Sequence, residues 1–363
     1  MNQRLLLLIF LLFICPLRLA AQENTLQDGI ELLHQGKLKE AQLIIEELAE
    51  QRPQDGNVQI TLGYVLLHNG NYEQAAKVLR SALAMSGERG EIHRLLAEIA
   101  AQQGDFPEAF AEIEKALRLA PQDKATLAFK EKLTKEWQIE EKMDKNYGGN
   151  FTVTFEGGGD ELGSTTLAVL EEAYVDLGSR FQHWPKQKIE VILYGNRDFK
   201  SLTNAPDWSG GLYDGKIRIP VGGLTGMSEN LRRILYHEYT HVLIRALTRN
   251  HLPLWLNEGL AQWAAGESSS LLELKRAQGE KLLPFARFEK SFAGLSEKEA
   301  PLAYAQSLSL TNFLVERFGE AQIIEVLNRL GTGISFQVAA AEILAPWDGN
   351  FNDLVQAWQE SLP

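Results

Sequence analysis

His237-Glu238-Tyr239-Thr240-His241 places two imidazoles four residues apart inside an apolar, helix-forming run, residues 228–247. On a helix, residues four apart share a face, so His237 and His241 can grip one metal ion. Glu238 lies beside that face, where it can reach a water at the metal without being a ligand. Tyr239 points away from the face and reads as core. The bland alternative is two helix-surface histidines with an unrelated Glu, and the next segment argues against it. Residues 252–263, LPLWLNEGLAQW, read as a turn and a second short helix carrying Glu258. A structural zinc site closes with four protein ligands, usually including cysteine, whereas a catalytic site keeps three and leaves the fourth position open. Glu258, 17 positions after His241, completes a His2Glu set. A three-His arrangement would need Gly at 244 and His at 247, where Ile244 and Leu247 stand. The expected cofactor is therefore zinc, with His237, His241 and Glu258 as ligands and Glu238 as general base.

The pairing of HEYTH with WLNEGLAQW resembles the gluzincin metallopeptidases, above all the bacterial peptidase-MA-like domains. The resemblance covers residues 150–362. It takes in GLYDGKIRIPV (211–221) before the zinc helix, and AYAQS (303–307) and DLVQAW (353–358) after it. It implies an α+β zincin-like domain, with a small mixed sheet bearing an edge strand followed by mostly helices. It also implies peptide-bond hydrolysis, with a peptide or protein as substrate. Gluzincins commonly draw an oxyanion donor from a later helix, which falls here on Tyr304; helix packing accounts for Tyr304 equally well. Related enzymes often place a carboxylate one helical turn after the Glu ligand to orient a histidine. Gln262 stands there instead, able to accept through its amide oxygen but uncharged. Asn257 either supports the site or caps its helix, and His251 reads as a loop-surface residue. Residues 217–221 read as an edge strand, because Pro220 cannot donate to a ladder. An extended peptide could add to that edge, which favours endopeptidase over exopeptidase chemistry.

These elements need a scaffold, and the first third of the chain has a different logic. A 34-residue period runs through residues 22–143: Gly29, Gly63 and Ala97; Gly36, Gly70 and Gly104; Leu38, Tyr72 and Phe106; Ala41, Ala75 and Ala109. Small residues where paired helices touch, with Gly at the turn, match the tetratricopeptide (TPR) pattern, and three copies suffice for a stacked core. The fold expected is therefore multidomain, an all-α TPR solenoid followed by the α+β domain. Residues 124–143 read as a polar capping helix and 144–149 as a linker, with the second domain over 150–363. All seven Trp lie from Trp137 onward, which marks the change of composition. His34 and His68 share a repeat column and read as exposed helix residues. The repeats supply no zinc ligand, so a chain starting near Asp144 is expected to fold alone, while the repeats recruit a protein substrate or partner.

Composition narrows the setting. Of 363 residues 45% are hydrophobic and 23% charged, as in soluble globular proteins. Arg4, an apolar run over 5–15 and Leu19-Ala20-Ala21 read as a secretory signal peptide, residues 1–21, too short to span a bilayer. Ile14 before Cys15 argues against a lipoprotein. Cleavage removes Arg4, Arg18 and the only cysteine, leaving 34 basic against 48 acidic residues and a formal net charge of −14. Such a chain forms no disulfide, and its acidity disfavours nucleic acid or anionic membrane as partner. No later stretch reaches transmembrane length. The expected location is the bacterial periplasm or outside the cell. Two rivals use the same residues: a non-catalytic TPR adaptor with a retained zinc site, and a zinc hydrolase of non-peptide amides.

Overall fold

Pairs of helices stack in the first third because the repeat columns put the smallest residues where helices cross. The computed structural model describes residues 25–34, 38–156, 160–203, 210–249, 252–268, 270, 272, 281–289, 292, 294–344 and 351–362. The expected signal peptide, Gly36 and His251 lie outside these. Seven helices come first: α1 (Leu26–His34), α2 (Leu38–Gln51), α3 (Gly56–His68), α4 (Tyr72–Ser86), α5 (Gly90–Gln102), α6 (Phe106–Leu119) and α7 (Lys124–Glu140). At Gly63 even a methyl group would come within 2.5 Å of the Leu79 side chain, so α3 and α4 meet nearly backbone to side chain. Ala41, Ala75 and Ala109 are fully buried at the equivalent crossings. Gly70 and Gly104 take φ of 79° and 74° at the turns, the left-handed region that glycine tolerates.

The second part is built on a five-stranded mixed sheet in the order β1-β2-β3-β5-β4. Its strands are β1 (Asp144–Tyr147), β2 (Phe151–Phe155), β3 (Ile189–Tyr194), β4 (Leu212–Tyr213) and β5 (Ile217–Pro220). Two expectations change here. The residues read as a linker form β1, antiparallel to β2, with Asp144 opposite Phe155. Strand β5 is not the edge: it lies parallel to β3 and is covered by antiparallel β4. Gly215, at φ 113°, turns the chain back to make that cover. Pro220 is tolerated because it ends its strand, and the ladder continues through Val221 N–H to the Tyr194 carbonyl.

Side chains alternate across a strand, which divides the sheet's work. One face, with Phe151, Val153, Val191, Leu193, Ile217 and Ile219, joins the large core beneath α8 (Asp160–Phe181) and α10 (Glu229–Thr248). The other face, with Ile192 and Tyr194, packs against Met143 and Phe199, the latter on α9 (Asn196–Thr203). The chain finishes in α11 (Leu254–Ala264), α12 (Glu299–Phe318), α13 (Glu320–Leu330), α14 (Phe336–Ile343) and α15 (Phe351–Ser361). No described helix is long and apolar enough to cross a membrane.

Helix α7 is more than a polar cap. Glu136 and Glu140 are buried against the sheet, where Arg218 Nη2 and Nη1 reach them at 3.4 Å each. Asp214 also pairs with Arg218, at 3.2 Å, while the Tyr194 hydroxyl accepts from Arg218 Nη1 at 2.6 Å and donates to Glu140. Lys216 lies 3.8 Å from Glu140 and over the Phe106 ring. A chain cut at Asp144 would leave Lys216 and Arg218 without two of their buried carboxylates. The repeats and the sheet therefore pack against one another through buried charge.

Candidate metal centre

Helix α10 starts at Ser228, whose hydroxyl accepts from Leu231 N–H, and buries one long face: Leu231, Leu235, Tyr239, Val242 and Leu243. Tyr239 is fully buried between Phe151 and Tyr174, as its position in the motif implied. The opposite face carries His237, His241 and Arg245 into a cleft of about 1170 Å³. Glu258 comes from α11, which is pressed onto α12: a methyl group at Gly259 would stand 2.1 Å from Thr311 Oγ1 and 2.5 Å from the Ser307 carbonyl oxygen. That close approach fixes the carboxylate beside it.

The three expected ligands converge. Glu258 Oε2 lies 3.5 Å from His237 Nε2 and 3.7 Å from His241 Nε2, and one ligand atom from each residue falls within 4.8 Å of the others. Bonds of about 2.0–2.2 Å in tetrahedral directions need ligand atoms only slightly closer than this, so the donor set fits zinc. The outer ring nitrogens are also held. Asn257 Oδ1 sits 3.2 Å from His241 Nδ1 and Glu267 Oε1 sits 3.1 Å from His237 Nδ1. Both partners are acceptors, so each Nδ1 carries a proton and each Nε2 faces the position a metal would take.

Glu267 was not among the expected site residues. The orienting place was read at Gln262, but Gln262 Nε2 donates to the carbonyls of Glu258 (3.2 Å) and Tyr304 (3.0 Å), tying α11 to α12. The carboxylate comes five residues later by way of a helix stop. Gly266, at φ 69°, turns the chain while Glu267 N–H bonds the Gln262 carbonyl and Gly266 N–H bonds that of Trp263. This glycine closure returns the next residue toward the helix it ends. Gly266 followed by an acid was the available signal.

Charge at the centre is lopsided. Burial alone would depress His237, but its bonds to Glu258 and Glu267 outweigh that and pull it up to about 10. Burial pushes Glu258 up, yet the two histidines more than reverse this and hold it below the ordinary carboxylate range. Glu238 goes the other way: burial raises it, with the histidines opposing only in part. Three carboxylates around two imidazoles form a site that attracts cations, and a dication would compete for the same lone pair as the proton on His237. Glu238 itself rests against Gly211, where a methyl group would come within 2.5 Å of Oε1. Tyr304 is half-buried on α12 and lines the cleft. Burial and the charges of Glu258, Glu238 and Glu267 all push its phenol up, so it stays protonated and able to donate.

Comparison with known proteins decides the family. Residues 170–362 match the Peptidase MA superfamily. The chain belongs to it. Residues 26–88 and 60–124 match the tetratricopeptide repeat, as the 34-residue period implied. Peptidase MA members are generally zinc-dependent, and the His/Glu cluster of this one lies within the matched residues. The chain matches no curated protein. The repeats also reach this cleft. His68, at the end of α3, is half-buried and lines the same cleft as His237, and its carbonyl accepts from Arg245 Nη2. His34, its partner in the repeat column, is exposed.

Proposed function

We propose that this chain is an exported zinc metallopeptidase that hydrolyses peptide bonds within proteins brought to it by the TPR block. The observation that carries this reading is the position of Glu238: buried at the convergence of His237, His241 and Glu258, yet outside the ligand set. Zinc, when bound, supplies Lewis-acid polarisation of a carbonyl and a water acidified to near neutral pKa. Glu238 takes the proton as water attacks and returns it to the departing amine. Its burial raises its proton affinity toward the range a general base needs. Asn257 and Glu267 keep the histidine rings in place through both events. Tyr304 presents a neutral phenol that donates to the developing oxyanion. The substrate strand adds to β4, not β5 as the sequence suggested, since β4 is the sheet edge and both its residues line the cleft. TPR stacks present concave surfaces for protein partners, which supports recruitment by this block. The basic and apolar run over residues 1–21 supports export to the periplasm or beyond.

Purified protein from an exporting cell, its chain expected to start at Gln22, should cleave an unstructured protein such as denatured casein. Glu238→Gln should keep its metal and lose about 10²–10⁴-fold in kcat. Near wild-type turnover by that variant would remove Glu238 from the mechanism, and an inert wild type with full zinc would remove the peptidase reading.

A further inference from the structure

We infer that the junction between the repeats and the peptidase domain contains a subsite for a substrate carboxylate, built on Arg245 with His68 and Tyr213. This deepens the peptidase reading and rests on it. Arg245 follows His241 by one helical turn on the same face of α10, which places its Cα about 6 Å further along the axis. It lines the main cleft and also a smaller cavity of about 230 Å³ between the repeats and the sheet. His68 lines both as well, so the two spaces meet at this pair.

The guanidinium is held without being neutralised. Arg245 Nη2 donates to the His68 carbonyl, the guanidinium carbon lies 5.5 Å from the centre of the Tyr213 ring, and Nε is buried without an acceptor. Among the described residues no carboxylate pairs with it, whereas Arg180, Arg218, Arg232 and Arg329 each hold one. Arg233 also lines the cleft without a carboxylate partner among the described residues, but it is exposed, whereas Arg245 is half-buried and its hydrogen bond goes to a neutral carbonyl. Arginine offers five donors in a planar fork that matches a carboxylate, and most of them are uncommitted here. His68 is held by its Nδ1, which donates to the Tyr64 carbonyl at 3.0 Å while its ring stacks on Tyr64; its Nε2 donates to a carboxylate only in the imidazolium form. Tyr213 belongs to β4, so a peptide added to that edge runs past Arg245. The repeats therefore take part in the site: the His68 carbonyl fixes the arginine that reads the substrate. The carboxylate it reads is either an acidic side chain or the C-terminus of the peptide.

Matched quenched-fluorescence peptides test this with full-length zinc-loaded protein. Glu or Gln is stepped through each position of a neutral sequence, and each peptide is made with a free or an amidated C-terminus. One Glu position, or the free C-terminus, should raise kcat/KM about tenfold or more over its neutral match, as charge-assisted hydrogen bonds allow. Preference within amidated peptides identifies an acidic side chain; preference for the free terminus alone identifies the terminal carboxylate. Arg245→Gln should bring the ratio close to unity, and Arg245→Lys should leave an intermediate value, since it keeps charge without the fork. A wild type indifferent to every carboxylate overturns the inference whether or not the variants fold, and so does an unchanged preference in folded Arg245→Gln. If the wild type cleaves none of these peptides, the peptidase reading fails separately. Equilibrium binding of the same peptides then decides the subsite: tighter capture of carboxylate peptides by wild type but not by Arg245→Gln supports it, and equal capture overturns it.

Discussion

Among the described residues, the carboxylates at the junction and those at the candidate metal centre are balanced in opposite ways. At the junction, Glu136, Glu140 and Asp214 meet Lys132, Lys216 and Arg218, cations that stay charged, and the Tyr194 phenol fills the gap between them. Around Arg218 burial is more than offset by these carboxylates, and its proton is held more tightly than in water. At the candidate metal centre, the nearest cationic partners of Glu238, Glu258 and Glu267 among the described residues are two histidines, whose charge is conditional. The first cluster closes on itself and holds two domains together. The second is short of positive charge and asks for an ion. Buried acids thus read as structure or as site according to whether fixed cations answer them.

The comparison can be broken first at the junction. Arg218→Met removes the cation that three acids share and should cost about 3–5 kcal/mol of stability, read from denaturant unfolding, because uncompensated buried charge remains. The zinc content of the folded fraction should not change. A loss below 1 kcal/mol would mean that the cluster is solvated and that the domains are held by apolar contact alone.

The metal centre responds in the other currency. Glu267→Gln keeps a hydrogen-bond acceptor but not the charge that orients His237, and should weaken zinc about 10–100-fold in a chelator competition. Unfolding free energy of the metal-free protein should hardly move. Unaltered affinity would show that the 3.1 Å contact with His237 is incidental. A smaller effect is expected at Gly211→Ala. The added methyl must displace Glu238, so kcat should fall by about tenfold with zinc retained, in line with the sensitivity of catalysis to small misplacements. Equal kcat would mean that the base moves freely against β4.

What could be read from the sequence was what repeats or what is local. The 34-residue columns announced the TPR helices, because stacking demands a small residue at each crossing. The convergence of HEYTH and Glu258 was legible because residues four apart share a helix face and these side-chain types are the ones that suit a metal. The misreadings are non-local. Strand β4 is two residues long and carries no alternation, so nothing in Leu212 and Tyr213 said that they cover β5. Asp144 to Tyr147 lack apolar alternation, and they become a strand through their pairing with β2. Glu136 and Glu140 looked like the solvated face of a polar helix, since the residues that bury them, Lys216 and Arg218, stand about eighty positions away. His68 joined the cleft for the same reason: its neighbour Arg245 lies 177 residues on.

Zinc stoichiometry in the purified full-length protein tests the central claim most directly. Elemental analysis after exhaustive dialysis should find about one zinc per chain in the wild type and in Glu238→Gln, and little in His241→Ala or Glu258→Ala with both variants folded. Full zinc in the last two would contradict the account, because the ion would then be bound somewhere other than the site built from His237, His241 and Glu258.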